Sequence, residues 1–453
     1  MMIVASNRGP YTFKGEKVIR SSGGLVSALE PILRAEGGTW IAWPGTLGEI
    51  PRSLERKIPA AGYNFSSVFL TYNEYQNYYL GFSNEILWPL CHGLTQYCSY
   101  KKEYWQDYVR VNKKFARQIL SKAGFGETIW INDYHLALVP LFLHQKRRDL
   151  NLLFFWHIPF PAPEIWENLP WGKHILKSLA LCDRVGFHTT EYKRNFLACL
   201  EYEELRTRAH IQANPISVDY EYYRNAASQL QSRSFANVWR SKAKTPILII
   251  GVDRQDYTKG IPQKIKALEL LFSRNPKWRG RLTFIQVMVP SRQEIEAYDE
   301  VKRETYQSVY ELNSRFGKKD YLPVQLIYRS LDFYELMGLY LAGDIALVTP
   351  IKDGLNLVAK EYITCHLGKE GVLVLSKGAG AAAELKDAVL VDASDTLSIA
   401  EGIEKALTMS SAEKRKRFAN LKKEVQQHDL FHWRNIFLGK AITAPASIFR
   451  AKS

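Results

Sequence analysis

Two cations five positions apart mark the most chemically suggestive stretch of the sequence. Val252-Asp253-Arg254-Gln255-Asp256-Tyr257-Thr258-Lys259-Gly260 follows an apolar run and precedes a helical pattern. Such a loop brings Arg254, Lys259 and the free N–H groups of a helix start to one place, which suits a diphosphate. It is not a P-loop, because the G-x-x-x-x-G-K-[ST] order is absent, and no G-x-G-x-x-G marks a dinucleotide site. The plain alternative is a solvated charged loop. A second stretch runs from Thr349 to Glu361. Asp353 precedes a helix start, and Glu361 lies eight residues on, about two turns into that helix. The backbone from Gly354 to Leu357 can approach a sugar or a phosphate. A carboxylate pair alone would point to a glycosidase, but this spacing does not set two groups on either side of one bond.

Three further sets end apolar runs. Ser6-Asn7-Arg8 closes the first, and Ser21-Ser22-Gly23-Gly24 opens a helix soon after. Small residues at a helix start admit an anion closely, and Arg8 can clamp a phosphate bidentately. The alternative is an ordinary turn and cap. Asp133 ends Trp130-Ile131-Asn132, where its structural use would be as an N-cap. His157 ends Phe155-Trp156 and is followed by Pro159 and Pro161, which stiffen the loop. A single histidine is more often structural than catalytic, but this one stands at a strand end.

The elements that must carry these residues alternate. Strand-like runs lie at Met2–Ala5, Thr39–Ala42, Thr128–Ile131, Asn151–Trp156 and Arg184–Phe187, with amphipathic stretches at Gly24–Ala35, Trp105–Lys122 and Leu136–Arg147. A second series has strands at Pro246–Val252, Leu282–Val289, Val324–Tyr328, Asp344–Val348, Gly371–Leu375 and Ala388–Val391. Its helices lie at Ile265–Phe272, Gln293–Phe316, Phe333–Ala342, Val358–His366 and Ser398–Met409. Apolar strands alternating with helices imply parallel sheets covered on both faces. The fold class is therefore α/β, with two doubly wound, Rossmann-like domains facing a cleft. Ligands in such sheets bind at the carboxyl ends of the strands. The expected seam is the polar stretch Ile216–Thr245, and the tail beyond Thr443 is expected to be weakly ordered.

Composition narrows the class. The 453 residues are 46% apolar and 24% charged, which excludes a disordered chain, a fibre and a small disulfide scaffold. The net charge of +15 suits anionic partners, from nucleic acid to phosphorylated metabolites. Scattered Lys and Arg speak against nucleic acid. Five cysteines, with no C-x-x-C, suggest neither a disulfide framework nor a zinc ribbon. His428 and His432 share helical spacing but lack the glutamate of H-E-x-x-H, so no metal is expected. No apolar run is long enough to span a membrane, and a cytosolic protein is expected.

Taken in order, these motifs resemble the trehalose-6-phosphate synthases, retaining sugar-nucleotide glycosyltransferases of the GT-B type. The resemblance runs from Ile3 to about Leu438. It rests on V-D-R-Q-D-Y-T-K-G at Val252–Gly260 and D-G-L-N-L-V-A-K-E at Asp353–Glu361, with H-I-P-F-P at His157–Pro161 and S-N-E-I-L-W-P at Ser83–Pro89. It implies an acceptor domain over residues 1–220, a nucleotide-sugar domain over 221–425, and a final helix over about 426–445 crossing back to the first. It implies that Arg8, Trp40, Tyr79, Trp88 and Arg292 hold glucose 6-phosphate. Arg254 and Lys259 fall to the donor diphosphate, and Asp133 and His157 to the reacting sugars. Gly24, Asp353, Asn356, Leu357, Val358 and Glu361 fall to the donor. UDP-glucose is the expected donor, and no cofactor or metal is expected. Departures are a short Leu200–Pro215 stretch, Lys352 in place of a common arginine, and Leu331 in place of an aromatic near the base. A glycerol 3-phosphate acceptor (glucosylglycerol-phosphate synthase), a silent sugar-phosphate-binding homologue and homo-oligomerisation stay open.

Overall fold

The computed structural model describes residues 2–14, 17–21, 23–49, 62–368 and 370–439. Ser22, the end of the expected final helix past residue 439, and the tail beyond Thr443 lie outside the described residues.

The first sheet has seven parallel strands. In chain order they are β1 (Met2–Arg8), β4 (Thr39–Trp43), β5 (Asn64–Ser67), β6 (Thr128–Asn132), β7 (Asn151–Phe155), β8 (Arg184–Phe187) and β9 (His210–Ala213), with a small antiparallel hairpin of β2 (Tyr11–Lys14) and β3 (Lys17–Arg20) beside them. Their spatial order is β5-β4-β1-β6-β7-β8-β9. The second sheet has six parallel strands: β10 (Ile247–Arg254), β11 (Leu282–Val289), β12 (Val324–Ile327), β13 (Ile345–Val348), β14 (Val372–Ser376) and β15 (Val389–Val391). They lie in the order β12-β11-β10-β13-β14-β15. In each sheet the chain winds outward one way, returns to the middle and winds out the other way. The direction reverses between β1 and β6 in the first sheet, and between β10 and β13 in the second. A crevice opens outside the carboxyl ends at each reversal.

Register brings the predicted loops to those crevices. Ser6 pairs with Asn132, so Arg8 and Asp133 leave neighbouring strands. Ile250 pairs with Ala346, so the Arg254 loop and the Thr349–Asp353 loop emerge side by side. Central strands such as β13 and β14 are buried along their whole length, as sheets covered on both faces require.

The stretch Ile216–Thr245 is not an open polar seam. It forms two helices, Tyr220–Ser228 and Leu230–Ala243. Their inner stripe is aromatic and small, with Tyr223, Ala227, Ala236 and Trp239 buried, so an aliphatic pattern does not reveal it. Asp219 caps the first helix through Tyr222 N–H. Trp239 Nε1 donates to Glu335 O at 3.2 Å, and Arg240 forks onto Asp344 at 2.5 and 2.7 Å, tying the pair to the second sheet's layer. The last described helix, Leu430–Leu438, packs on the first sheet. Trp433 and Phe437 lie 5.2 and 5.4 Å from Trp130, and each buried ring contributes about 2 kcal/mol. Asn214 Nδ2 donates to Trp433 O, and Arg184 donates to Phe437 O.

Candidate active site

At the second crevice, β10 ends on Arg254, and a single 3₁₀ turn carries Lys259 inward. Lys259 Nζ meets Asp353 Oδ2 at 2.5 Å, and Asn356 Nδ2 donates to the same oxygen at 3.1 Å. Burial alone would raise the Asp353 carboxyl, but Lys259 outweighs it and holds the pKa below the ordinary value. Asn356 has φ +79° at the start of the helix Leu357–Cys365, a left-handed conformation that asparagine tolerates. The helix starts at Leu357, so Glu361 lies about one turn into it rather than the two expected; it is buried and accepts from Tyr340 Oη at 2.7 Å. Burial raises its pKa.

The donor loop touches the first domain. A Cβ on Gly354 would stand 2.1 Å from His157 O, and one on Gly24 would stand 2.7 Å from Leu357 Cδ1. Gly354 thus permits backbone-to-backbone contact across the cleft. Tyr192 Oη donates to Asp353 O at 3.1 Å from the first domain.

At the first crevice, the Arg8 guanidinium lies 4.3 Å from the Trp43 ring and 5.7 Å from Tyr79. Tyr79 sits on a helix with i→i+5 bonding, Tyr75–Leu87, that runs directly into Trp88–Cys91; such wide turns recur at functional sites. Three cations converge on the Trp88 ring: Arg292 at 4.4 Å, Arg254 at 5.2 Å and Lys259 at 5.8 Å. Arg292, at φ +46°, donates to Tyr298 Oη at 2.5 Å. Burial opposes its charge, but Tyr298, Tyr134, Tyr79 and Asp256 outweigh burial and raise its pKa. Burial raises Tyr79, while Arg292 and Arg8 together bring it below the usual phenol.

Asp133 follows β6 at the first crevice, with φ +75°. Its Oδ1 accepts from Tyr134 N–H at 3.0 Å and His157 N–H at 3.2 Å, and Oδ2 is 3.7 Å from His135 Nδ1. Burial outweighs those bonds and pushes the carboxyl up to about 7. The His157 ring lies beside Phe155 and His188, with Nε2 3.1 Å from Asn132 Oδ1. Burial, with His188 beside it, keeps its pKa well below the usual imidazole.

Of the predicted residues, Arg8, Tyr79, Trp88, Arg292, Asp133, Arg254, Lys259 and Asp353 come together at the cleft. His157 contributes its backbone carbonyl to the domain contact. Asn356, Leu357 and Val358 form the start of the donor helix, with Glu361 further along it. Trp40 is the exception. It is fully buried, and its Nε1 donates to Ser6 Oγ at 2.8 Å. Side chains alternate along β4, so Trp40 faces the Gly24–Glu36 helix while Trp43 faces Arg8. Trp40 reaches the site only through Ser6, whose hydroxyl donates to Arg8 O at 2.7 Å. Sequence reasoning passed over Trp43 and Asp256; the latter stood in the quoted motif between the two cations. Among the described residues, no group of three or more His, Cys, Asp or Glu could hold a metal ion, and no helix is long and apolar enough to cross a membrane.

The sequence model of glycosyltransferase family 20 matches residues 2–442. The chain is 37% identical over 450 residues to a trehalose-6-phosphate synthase of Mycobacterium leprae, covering 94% of this chain and 90% of that one. It is 36% identical over 449 residues to the UDP-forming α,α-trehalose-phosphate synthase A of Dictyostelium discoideum, covering 95% of this chain but spanning only 61% of that relative's length. A crystal structure of the UDP-forming α,α-trehalose-phosphate synthase of Burkholderia xenovorans in complex with glucose-6-phosphate superposes with a TM-score of 0.89, at 29% identity, over 97% of this chain and 99% of that one.

Proposed function

The chain belongs to glycosyltransferase family 20, and on that premise we propose that it transfers glucose from UDP-glucose to glucose 6-phosphate, giving α,α-trehalose 6-phosphate. One observation carries the reading. Four cations stand at one cleft: Arg254, Lys259 and Arg292 follow the neighbouring strands β10 and β11 of the second domain and gather at the Trp88 ring, and Arg8 comes from the first domain beside Tyr79. Two anionic groups, a diphosphate and a sugar phosphate, match that arrangement. The glucose 6-phosphate in the Burkholderia complex suggests the acceptor, and the UDP-forming name of the Dictyostelium relative suggests the UDP product.

In the reaction, the bond from the donor's anomeric carbon to the β-phosphate oxygen breaks. The anomeric hydroxyl oxygen of glucose 6-phosphate bonds to that carbon on the same face, and its proton passes to the departing phosphate. Arg254 and Lys259 stabilise the charge that develops there, where fixed cations act most strongly. Asp133 orients the reacting sugars, and Asp353 with the Asn356–Val358 backbone holds the donor glucose and phosphate. Glu361 takes the ribose. No metal takes part, and we place the reaction in the cytosol. The test crosses UDP-, GDP- and ADP-glucose with glucose 6-phosphate and glycerol 3-phosphate, with products identified by mass. Trehalose 6-phosphate from UDP-glucose is expected; a product from glycerol 3-phosphate alone overturns the acceptor.

A further inference from the structure

We infer that Asp256 is a positioning residue, holding the donor cation Arg254 and the acceptor cation Arg292 around one shared carboxylate so that both anion sites form together. The inference rests on the proposed transfer reaction and adds a residue to it. Asp256 is fully buried at the tip of the loop that follows β10. Its Oδ1 is fixed, accepting from Thr258 N–H at 3.0 Å and Thr258 Oγ1 at 2.9 Å. Its Oδ2 is buried without a hydrogen bond, 3.6 Å from Arg292 Nη1 and 3.9 Å from Arg254 Nη2. Among the described residues, no other carboxylate lies within 4.0 Å of either guanidinium.

Those distances exceed a hydrogen bond. The carboxylate therefore offsets repulsion between the two arginines without itself occupying their N–H donors, and on Arg292 it leaves those not given to Tyr298 for phosphate oxygens. Lys259 is already paired with Asp353, so it does not compete for Asp256. The supports are stiff. The Arg292 partner Tyr298 packs edge-on against Tyr257, ring centroids 5.1 Å apart, next in sequence to Asp256. Beneath the loop, buried Lys264 grips Asp253 Oδ2 at 2.5 Å, and Gln286 Nε2 donates to the same oxygen at 2.9 Å. Lys259, Arg254 and Arg292 outweigh burial and keep Asp256 ionised.

Charge and geometry make different demands on a variant. Asp256→Asn keeps the size and the Oδ1 acceptor but removes the charge. The two arginines then lose their shared counterion: they bind a ground-state anion at least as well, but they splay apart. Misplacement by about 1 Å is worth about 100-fold in rate. We expect kcat of Asp256→Asn to fall by at least tenfold, while the calorimetric Kd for UDP stays within twofold or tightens. Mere structural damage would weaken both. Thr258→Val, which removes one bond to Oδ1 and keeps the charge, should lower kcat by several-fold with UDP affinity unchanged, and it decides the matter should Asp256→Asn not fold. In a double-mutant cycle, Arg254→Ala with Asp256→Asn should lose less than the product of the single losses. A kcat for Asp256→Asn within threefold of wild type, or UDP affinity falling in step with kcat in the folded variants, overturns the inference. Wild-type turnover of UDP-glucose with glucose 6-phosphate tests the proposed reaction separately. The variants are compared with wild type on whichever donor and acceptor pair it uses.

Discussion

Charge at this cleft is concentrated in a few side chains whose roles differ by their partners. Arg254 is partly exposed and shares only a distant carboxylate, whereas Lys259 is nearly buried and bonded to Asp353. Both Arg254→Ala and Lys259→Ala should lower kcat by about 100- to 1000-fold, the cost of losing one preorganised donor to a developing anion. Steady-state rates at saturating donor check this, with circular dichroism to confirm the fold. Lys259→Ala also leaves the Asp353 carboxylate unpaired, so its pKa should rise and the acid limb of kcat should move to higher pH. Asp133 adds a stability prediction. Its folded pKa, about 7, lies above the unfolded value, about 3.9. Between those values the folded state binds the extra proton, so this group's contribution favours folding at low pH and is lost as pH rises through 7. Asp133→Asn should therefore gain stability relative to wild type between pH 5 and pH 8, read from melting curves of the ligand-free protein. A constant difference would show that Asp133 ionises normally.

Elements explain which of these residues the sequence could reveal. Strand ends were legible because fully covered parallel strands are plain apolar runs, and Arg8, Asp133, His157, Arg254 and the Asp353 loop each follow one. Edge strands were not: β5 (Asn-Phe-Ser-Ser) and β9 (His-Ile-Gln-Ala) carry too few apolar residues to stand out. The helices over 220–243 hid behind an aromatic and small-residue stripe. Trp40 and Trp43 differ by three positions, so they are buried on opposite faces of the sheet and only Trp43 meets Arg8, and only the direction of β4 tells them apart. The wide helix from Tyr75 has no sequence period of its own, yet it leads Tyr79 and Trp88 to the cations. The donor loop makes the sharpest element-scale test. Gly354→Ala drives a methyl into the His157 carbonyl, a backbone atom that cannot move aside cheaply, whereas Gly24→Ala meets only the end of the Leu357 side chain. Gly354→Ala should lower kcat/KM for UDP-glucose by at least about tenfold and leave the melting temperature within a few degrees. Gly24→Ala should cost several times less. Equal losses in the two variants would mean that the loop contact does not organise the site.

The whole molecule is two doubly wound halves joined by two neighbouring chain crossings. One leaves the first sheet after β9 through Asn214–Asp219, and the other returns at His428–Asp429; Leu430 N–H donates to Val218 O at 3.0 Å where they meet. Arg254, Lys259, Arg292 and Asp353 come from the second half and Arg8, Gly24, Tyr79 and Trp88 from the first, so the site is complete only when the halves are together. Away from the hinge, the cleft's lips touch through a few contacts. Tyr97 stacks on Tyr257 at 4.7 Å, and Tyr75 Oη donates to Glu294 Oε1 at 3.2 Å. Nearer the site, Gly354 lies against His157, and Lys360 Nζ donates to Ile216 O at 3.0 Å. Stacked rings and exposed hydrogen bonds are each worth about 1 kcal/mol, so the lips alone hold the halves together weakly, and interfaces of this kind permit relative motion. A diphosphate bridging the Arg254–Lys259 side to the Gly24 helix start would add contacts available only in the closed arrangement. Ligand should therefore draw an open population shut and exclude water that would hydrolyse the donor. We predict that UDP with glucose 6-phosphate lowers the radius of gyration in small-angle scattering. Amide exchange at Gly23–Gly24 and at Ile216–Asp219 should slow under the same conditions. If neither measurement changes, the halves are already locked and the cleft is preformed. If exchange slows at Gly23–Gly24 alone, with the radius unchanged, the glycine loop closes over a rigid frame and the two crossings do not act as a hinge.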